Sequence, residues 1–294
     1  MRKSISSGLV GLTALSTVGN LIISLPITKN DGSDILSVII AAAFSFVLFI
    51  FVYPLLEKFM NSEKMGNGIV LRVIRIAVYL LLQAVLILIT VTTLCDFSAF
   101  TVNTVLPNRD SGLIFAVFAV TAFIIGTNKM SALSKTATIF LIITVLLTAI
   151  IFLLSIPDMT LKYLTPREDL DLFGTTKTAF SVFISSFAQS FLICVASGAE
   201  LRDKRSALIG SAIGGVIIVL CLLNTLLVFG GEFSGELSYP YISAVKTVGT
   251  GDFFSGMEGF LYVTVFLSCI MKTAFSFFGI KLLSLKISKI KNFQ

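Results

Sequence analysis

Lys272 is the one basic residue set well inside an apolar run. A charge within a bilayer costs about 2.5 to 3.5 kcal/mol on insertion scales, so it is a functional candidate by default. Glu258 precedes it by fourteen residues on the same run. At ~1.5 Å per helical residue the two backbones stand ~21 Å apart, beyond direct pairing. Asp96 lies at the outer end of a different apolar run, so Lys272 lacks an obvious carboxylate at its own depth. Two destinations stay open for the ammonium: the freed carbonyls of an interrupted helix, or the cytoplasmic interface, reached by snorkelling.

Two runs carry such an interruption. Ser16-Thr17-Val18-Gly19-Asn20 falls in the middle of the first apolar stretch, and Ser185-Ser186-Phe187-Ala188-Gln189-Ser190 in the middle of the sixth. Gly and Asn inside a helix are each poorer than Ala by about 0.7 to 1 kcal/mol. Paired interruptions are how inverted-repeat transporters free backbone groups to hold a substrate at the bilayer midplane. The competing reading is that small and hydroxyl residues only pack helices, with Ser and Thr bonded back to their own turn.

Other chemistry is poorly supplied. His and Trp are absent, which removes histidine relays, histidine metal sites and indole platforms. Cys95, Cys194, Cys221 and Cys269 all lie in apolar stretches with no CxxC pair, as small apolar residues rather than disulfides or metal ligands. There is no Walker loop and no carboxylate pair in one wet site. The sequence therefore predicts no enzyme, no catalytic residue, no metal and no cofactor. Gln83 and Asn224 read as interhelical hydrogen-bond partners. Arg72 and Arg75, at the start of the third run, read as interface anchors or as contacts to a partner subunit.

The elements that must position these residues are membrane helices. Of 294 residues 56% are hydrophobic and only 13% charged, against about 25% charged in soluble domains. The mean hydropathy of +0.99 extends over the whole chain. Spanning ~30 Å of hydrocarbon takes about 20 apolar residues, and eight stretches qualify: roughly Ile5 to Leu25, Ile35 to Leu56, Ile69 to Cys95, Gly112 to Gly126, Leu133 to Leu154, Ala179 to Ala199, Ala207 to Phe229 and Met257 to Leu283. The fourth is short and the third long. No period-two alternation suggests a barrel. The expectation is an all-α polytopic helix bundle forming one membrane domain over residues 1–294.

An even number of spans puts both termini on one side. The loops on that side hold fifteen of the twenty-two basic residues, among them Arg72, Arg75, Lys129, Lys135, Lys204, Arg205, Lys281 and Lys286. Both termini are thus expected to be cytoplasmic. The net charge of +6 is then topology, with lipid headgroups as its partner and no nucleic acid implied. The N-terminal stretch has a basic end and an apolar run, but its interior Ser, Thr, Gly and Asn and the lack of a small-x-small site argue against a signal peptide.

Particular stretches resemble a known family. Gly19-Asn20-Leu21-Ile22-Ile23-Ser24-Leu25-Pro26, followed by Ile35-Leu36-Ser37-Val38, is similar to the first two helices of the spore-germination permeases. Tyr239-Pro240-Tyr241-Ile242-Ser243-Ala244-Val245-Lys246, Gly251-Asp252-Phe253-Phe254, Met257-Glu258-Gly259-Phe260 and Ile270-Met271-Lys272-Thr273-Ala274-Phe275-Ser276-Phe277-Phe278 resemble the segment before and through that family's eighth helix. The resemblance runs from about Ser6 to Phe278, and rests on the order and spacing of these motifs. The family consists of the membrane B subunits of nutrient germinant receptors, a branch of the amino acid/polyamine/organocation superfamily.

The resemblance implies an inverted-repeat transporter-like fold, with a first repeat over about 5–155 and a second, incomplete one over about 178–283. Family members usually have ten helices, so this chain is expected to be a short member lacking the last two, which are peripheral in related folds. Where relatives often carry an acidic motif in the sixth helix, this sequence has Phe187-Ala188-Gln189, which cannot carry a coupling proton. The implied function is a spore inner-membrane subunit that binds a small nutrient, an amino acid by expectation, and signals to other receptor subunits. The alternatives are an amino acid permease and a degenerate paralogue that only scaffolds partners. The implied pocket lies between spans one, three, six and eight. Its expected ligand-binding residues are Gly19, Cys95, Phe187, Gln189, Thr273 and Phe277, with Lys272 standing in for the cation that sodium-coupled relatives bind between the first and eighth helices.

Overall fold

The computed structural model describes residues 2–27, 33–56, 69–164, 172–197, 204–247 and 257–291, and every regular element among them is helical. Helix α1 (Arg2–Val18) tightens into a 3-10 turn at Gly19–Ile22. Helix α2 (Ser33–Val47) continues through a π turn at Leu48–Val52. Three further helices follow: α3 (Ile69–Thr104), α4 (Ser111–Thr127) and α5 (Met130–Ser155). Helix α6 (Leu172–Val182) runs through a π turn at Phe183–Phe187 into α7 (Ala188–Ser197). Then come α8 (Lys204–Phe229), the short α9 (Gly231–Ser234) and α10 (Pro240–Thr247), and the long α11 (Met257–Lys291).

Six helical stretches are long and apolar enough to cross a membrane, and two shorter apolar helices occupy the first and fourth expected places, Gly8–Ile22 and Ser111–Thr127. The chain is an all-α polytopic membrane bundle. The third span is longer than expected, since α3 continues past Cys95 to Thr104. The Gly251 to Phe254 motif falls outside the described residues.

Burial sorts the helices into an inner and an outer set. The apolar stretch of α11 is 78% buried, whereas that of α5 is 22% buried. An outer helix turns Leu, Ile and Phe to lipid, as Leu81, Phe123, Ile142 and Leu153 do. Helix α1 lies at the centre, packed on α5, α8 and α11. Its close approach depends on missing side chains. A Cβ at Gly210 of α8 would lie 1.8 Å from Thr13 Oγ1, and one at Gly214 2.7 Å from Thr17 Cβ. On the other face a Cβ at Gly11 would lie 2.8 Å from the Ala137 backbone of α5. In lipid, where no hydrophobic force draws helices together, van der Waals contact between such small-residue faces drives association.

Hydroxyls in the core are mostly bonded to their own helix. Thr13 bonds the Leu9 carbonyl, Thr17 the Thr13 carbonyl and Thr225 the Cys221 carbonyl. Interhelical polar bonds are fewer. Asn224 donates to Ser155 Oγ at 2.9 Å, tying α8 to α5, and Gln83 donates to Ser284 Oγ at 3.3 Å, tying α3 to α11. Both residues have the interhelical role expected from sequence.

Candidate ligand-binding site

The two interruptions meet. The 3-10 turn after α1 touches the π turn between α6 and α7 and lies against α11 and α3. Gly19 has φ +29°, a conformation L side chains rarely adopt, which explains why the helix changes pitch there. The second interruption is a π turn rather than a stretch without helix. It covers Phe183–Phe187 and so starts before the polar cluster that signals it. Single π turns within α-helices occur frequently at functional sites.

Lys272 joins the two. Its side chain is buried, and Nζ donates to Asn20 Oδ1 at 2.6 Å and to the Ser185 carbonyl of the π turn. The ammonium is therefore directed at the interrupted helices, not at the interface, which decides between the two destinations the sequence leaves open. The expectation that Lys272 has no carboxylate at its own depth is corrected. Asn20 Nδ2 donates to Asp96 Oδ2 at 2.6 Å, so one amide links the ammonium of α11 to the carboxylate of α3. Charge-assisted bonds of this kind are about twice as strong as neutral ones. They counter part of the desolvation cost of the buried Lys272 ammonium.

Further bonds fix the surroundings. Gln189 Nε2 donates to the Lys272 carbonyl at 2.7 Å, and Ser16 and Ser190 share a 2.6 Å hydroxyl contact between α1 and α7. Ser268 Oγ lies 3.4 Å from the Gly19 carbonyl while bonding the Thr264 carbonyl at 2.8 Å. Buried Gln189 Oε1, Ser186 Oγ and Ser276 Oγ have no protein partner.

Beside this network lies a cavity of about 520 Å³, within the range of small-molecule sites. Its polar lining is Asn20, Ser24, Thr92, Asp96, Ser181 and Ser185, and its apolar lining Leu21, Pro26, Leu88, Ile89, Val182 and Ile184. Asp96 is the only charged residue among the twelve.

The expected site residues divide into three groups. Gly19, Gln189 and Lys272 belong to the network that holds Asn20 and Ser185 against the cavity. Phe187 is fully buried behind it, its ring facing Gly215 of α8. Cys95, Thr273 and Phe277 do not converge with these. Cys95 is exposed on α3. Thr273 is buried with its hydroxyl on the Cys269 carbonyl, and Phe277 meets Phe123 of α4 edge-on at 5.5 Å. The sequence reading places span three in the pocket wall but selects Cys95 there, whereas the face of α3 that lines the cavity carries Leu88, Thr92 and Asp96. The signal for it is the spacing of Leu88, Thr92 and Asp96, four residues apart and so stacked along one helix face.

The described residues thus form a polytopic all-helical membrane protein in which two interrupted helices meet over a buried lysine beside a cavity. The spore permease model, described as spore germination protein, matches residues 6–294, and the chain belongs to that family. No curated protein and no solved structure matches it.

Proposed function

We propose that the chain is the membrane subunit of a nutrient-germinant receptor. It binds a small nutrient, an amino acid, in the cavity between the two interruptions, and passes the resulting change to partner receptor subunits. The observation that carries this reading is the Lys272–Asn20–Asp96 chain. It connects three helices through one amide, at the wall of a cavity of ligand size. A ligand that disturbs Asn20 or the Ser185 carbonyl changes how α11 holds both interruptions. Such differential contact is what a ligand-driven shift between states requires.

In this reading the two interruptions belong to inverted repeats over about 5–155 and 178–283, both termini face the cytoplasm, and the membrane is the spore inner membrane. Lys272 serves as the internal cation in place of a bound sodium. A second reading, transport of the same solute, draws on one feature: Lys272 and Asp96 are titratable groups joined through an amide in the core. Uptake of labelled amino acids into proteoliposomes separates the two. Robust concentrative uptake would favour transport, whereas saturable binding without uptake, with nutrient-dependent germination of spores carrying the protein, supports the receptor.

A further inference from the structure

The cavity carries a charge asymmetry. Asp96 of α3 is half-buried and lines it, whereas among the described residues no lysine or arginine does. Lys272 does not line it, and Nζ is already bonded to Asn20 Oδ1 and the Ser185 carbonyl. Asp96 gives Oδ2 to the Asn20 amide, and among the described residues no lysine or arginine nitrogen lies within 4 Å of its carboxylate. Among the described lining residues a ligand carboxylate thus finds no cationic side chain, while a ligand cation finds a carboxylate already oriented by an amide. In a low-dielectric site such a contact is worth far more than in water.

We propose that Asp96 receives the ammonium group of the ligand, so that the cavity selects small organic ammonium compounds, amines and amino acids alike. This deepens the nutrient-site reading and rests on it. The apolar remainder lies against Leu21, Ile89 and Val182, all three buried wall residues. Of the lining hydroxyls, Ser24 and Thr92 already donate to the Asn20 and Ile89 carbonyls, which leaves the Ser181 hydroxyl to donate to an amino acid's carboxylate. The same contact explains how occupancy reaches the core. An ammonium on Asp96 competes with Asn20 Nδ2 for the carboxylate, and Asn20 Oδ1 is the acceptor that holds Lys272.

The test is thermal stabilisation of the purified full chain in lipid nanodiscs. The probes are the twenty amino acids, isobutylamine, isovalerate, glucose and uridine. Isobutylamine keeps the ammonium of L-valine without its carboxylate, and isovalerate keeps the carboxylate without the ammonium. Stabilisation is expected only from ammonium-bearing probes, with isobutylamine acting and isovalerate not. Asp96→Asn keeps the size of the side chain and an acceptor for Asn20. It should weaken every stabilising probe by at least tenfold in a protein that stays helical and monodisperse. The probe comparison is made on the wild-type protein, so it stands even if the variant folds poorly. Stabilisation by isovalerate, or by amines equally well in Asp96→Asn, would overturn the proposal. Stabilisation by glucose or uridine alone would overturn it too, while leaving a nutrient site in place. Silence from all probes would remove both.

Discussion

Gly19 and Lys272 occupy adjoining space so closely that a Cβ at position 19 would lie 2.2 Å from Lys272 Cδ. The lysine stem thus lies over the backbone of the tightened turn, and its ammonium reaches past it to Asn20 and Ser185. The glycine is required twice, by this contact and by its positive φ.

Gly19→Ala should therefore displace Lys272 or open the turn. A left-handed conformation costs a non-glycine residue about 1 to 2 kcal/mol, and overpacking a filled core about 1 to 3 kcal/mol. The expected result is a melting temperature several degrees lower and a nutrient response weakened at least tenfold, with Gly19→Leu abolishing the response while membrane insertion persists. A normal response at normal protein level in Gly19→Leu would show that the contact is dispensable.

Lys272→Arg and Lys272→Met should both fail. The ammonium fits between one carbonyl and one amide oxygen, and a planar guanidinium does not replace a compact charge there. Lys272→Met leaves Asn20 Oδ1 and the Ser185 carbonyl without their donor, at about 1 to 3 kcal/mol for each buried unsatisfied group. Spore germination assays on both variants check this. Full activity in Lys272→Arg would mean that only a long cationic chain is needed.

Gln189→Leu should cost about 1 kcal/mol, the typical net worth of one internal hydrogen bond. Its Nε2 bond to the Lys272 carbonyl is lost, but its unpartnered Oε1 is removed as well. Denaturation of the purified protein monitored by intrinsic tyrosine fluorescence would measure it. A loss above about 3 kcal/mol would indicate that the amide carries more of the network than its one bond.

Cys95→Val should leave the response within twofold of wild type, because the thiol is exposed on α3 while the next residue, Asp96, lines the cavity. A lipid-soluble maleimide should label Cys95 in membranes without blocking the response. Block of the response by labelling would return Cys95 to the ligand site.

The architecture was largely legible because membrane helices declare themselves by length and hydropathy, and all eight expected stretches contain apolar helix. The break at Gly19–Ile22 was legible too, since Gly and Asn disfavour helix locally. The π turn at Leu48–Val52 was not, because Leu-Phe-Ile-Phe-Val carries no polar or glycine mark and its widening is decided by packing. The link between Asn20 and Asp96 spans 76 residues of sequence, and no local pattern joins them. Asp96 reads as an outer-end carboxylate when the third span is taken to end at Cys95, whereas α3 runs nine residues further, to Thr104.

The bridging amide is the centre of the account, and equilibrium binding of labelled amino acids to purified wild-type and Asn20→Leu protein tests it most directly. Leucine is near asparagine in size but can neither accept from Lys272 nor donate to Asp96. Saturable binding by the wild type, weakened at least tenfold in a helical, monodisperse Asn20→Leu, is the predicted result. Equal affinity in the two proteins would contradict it.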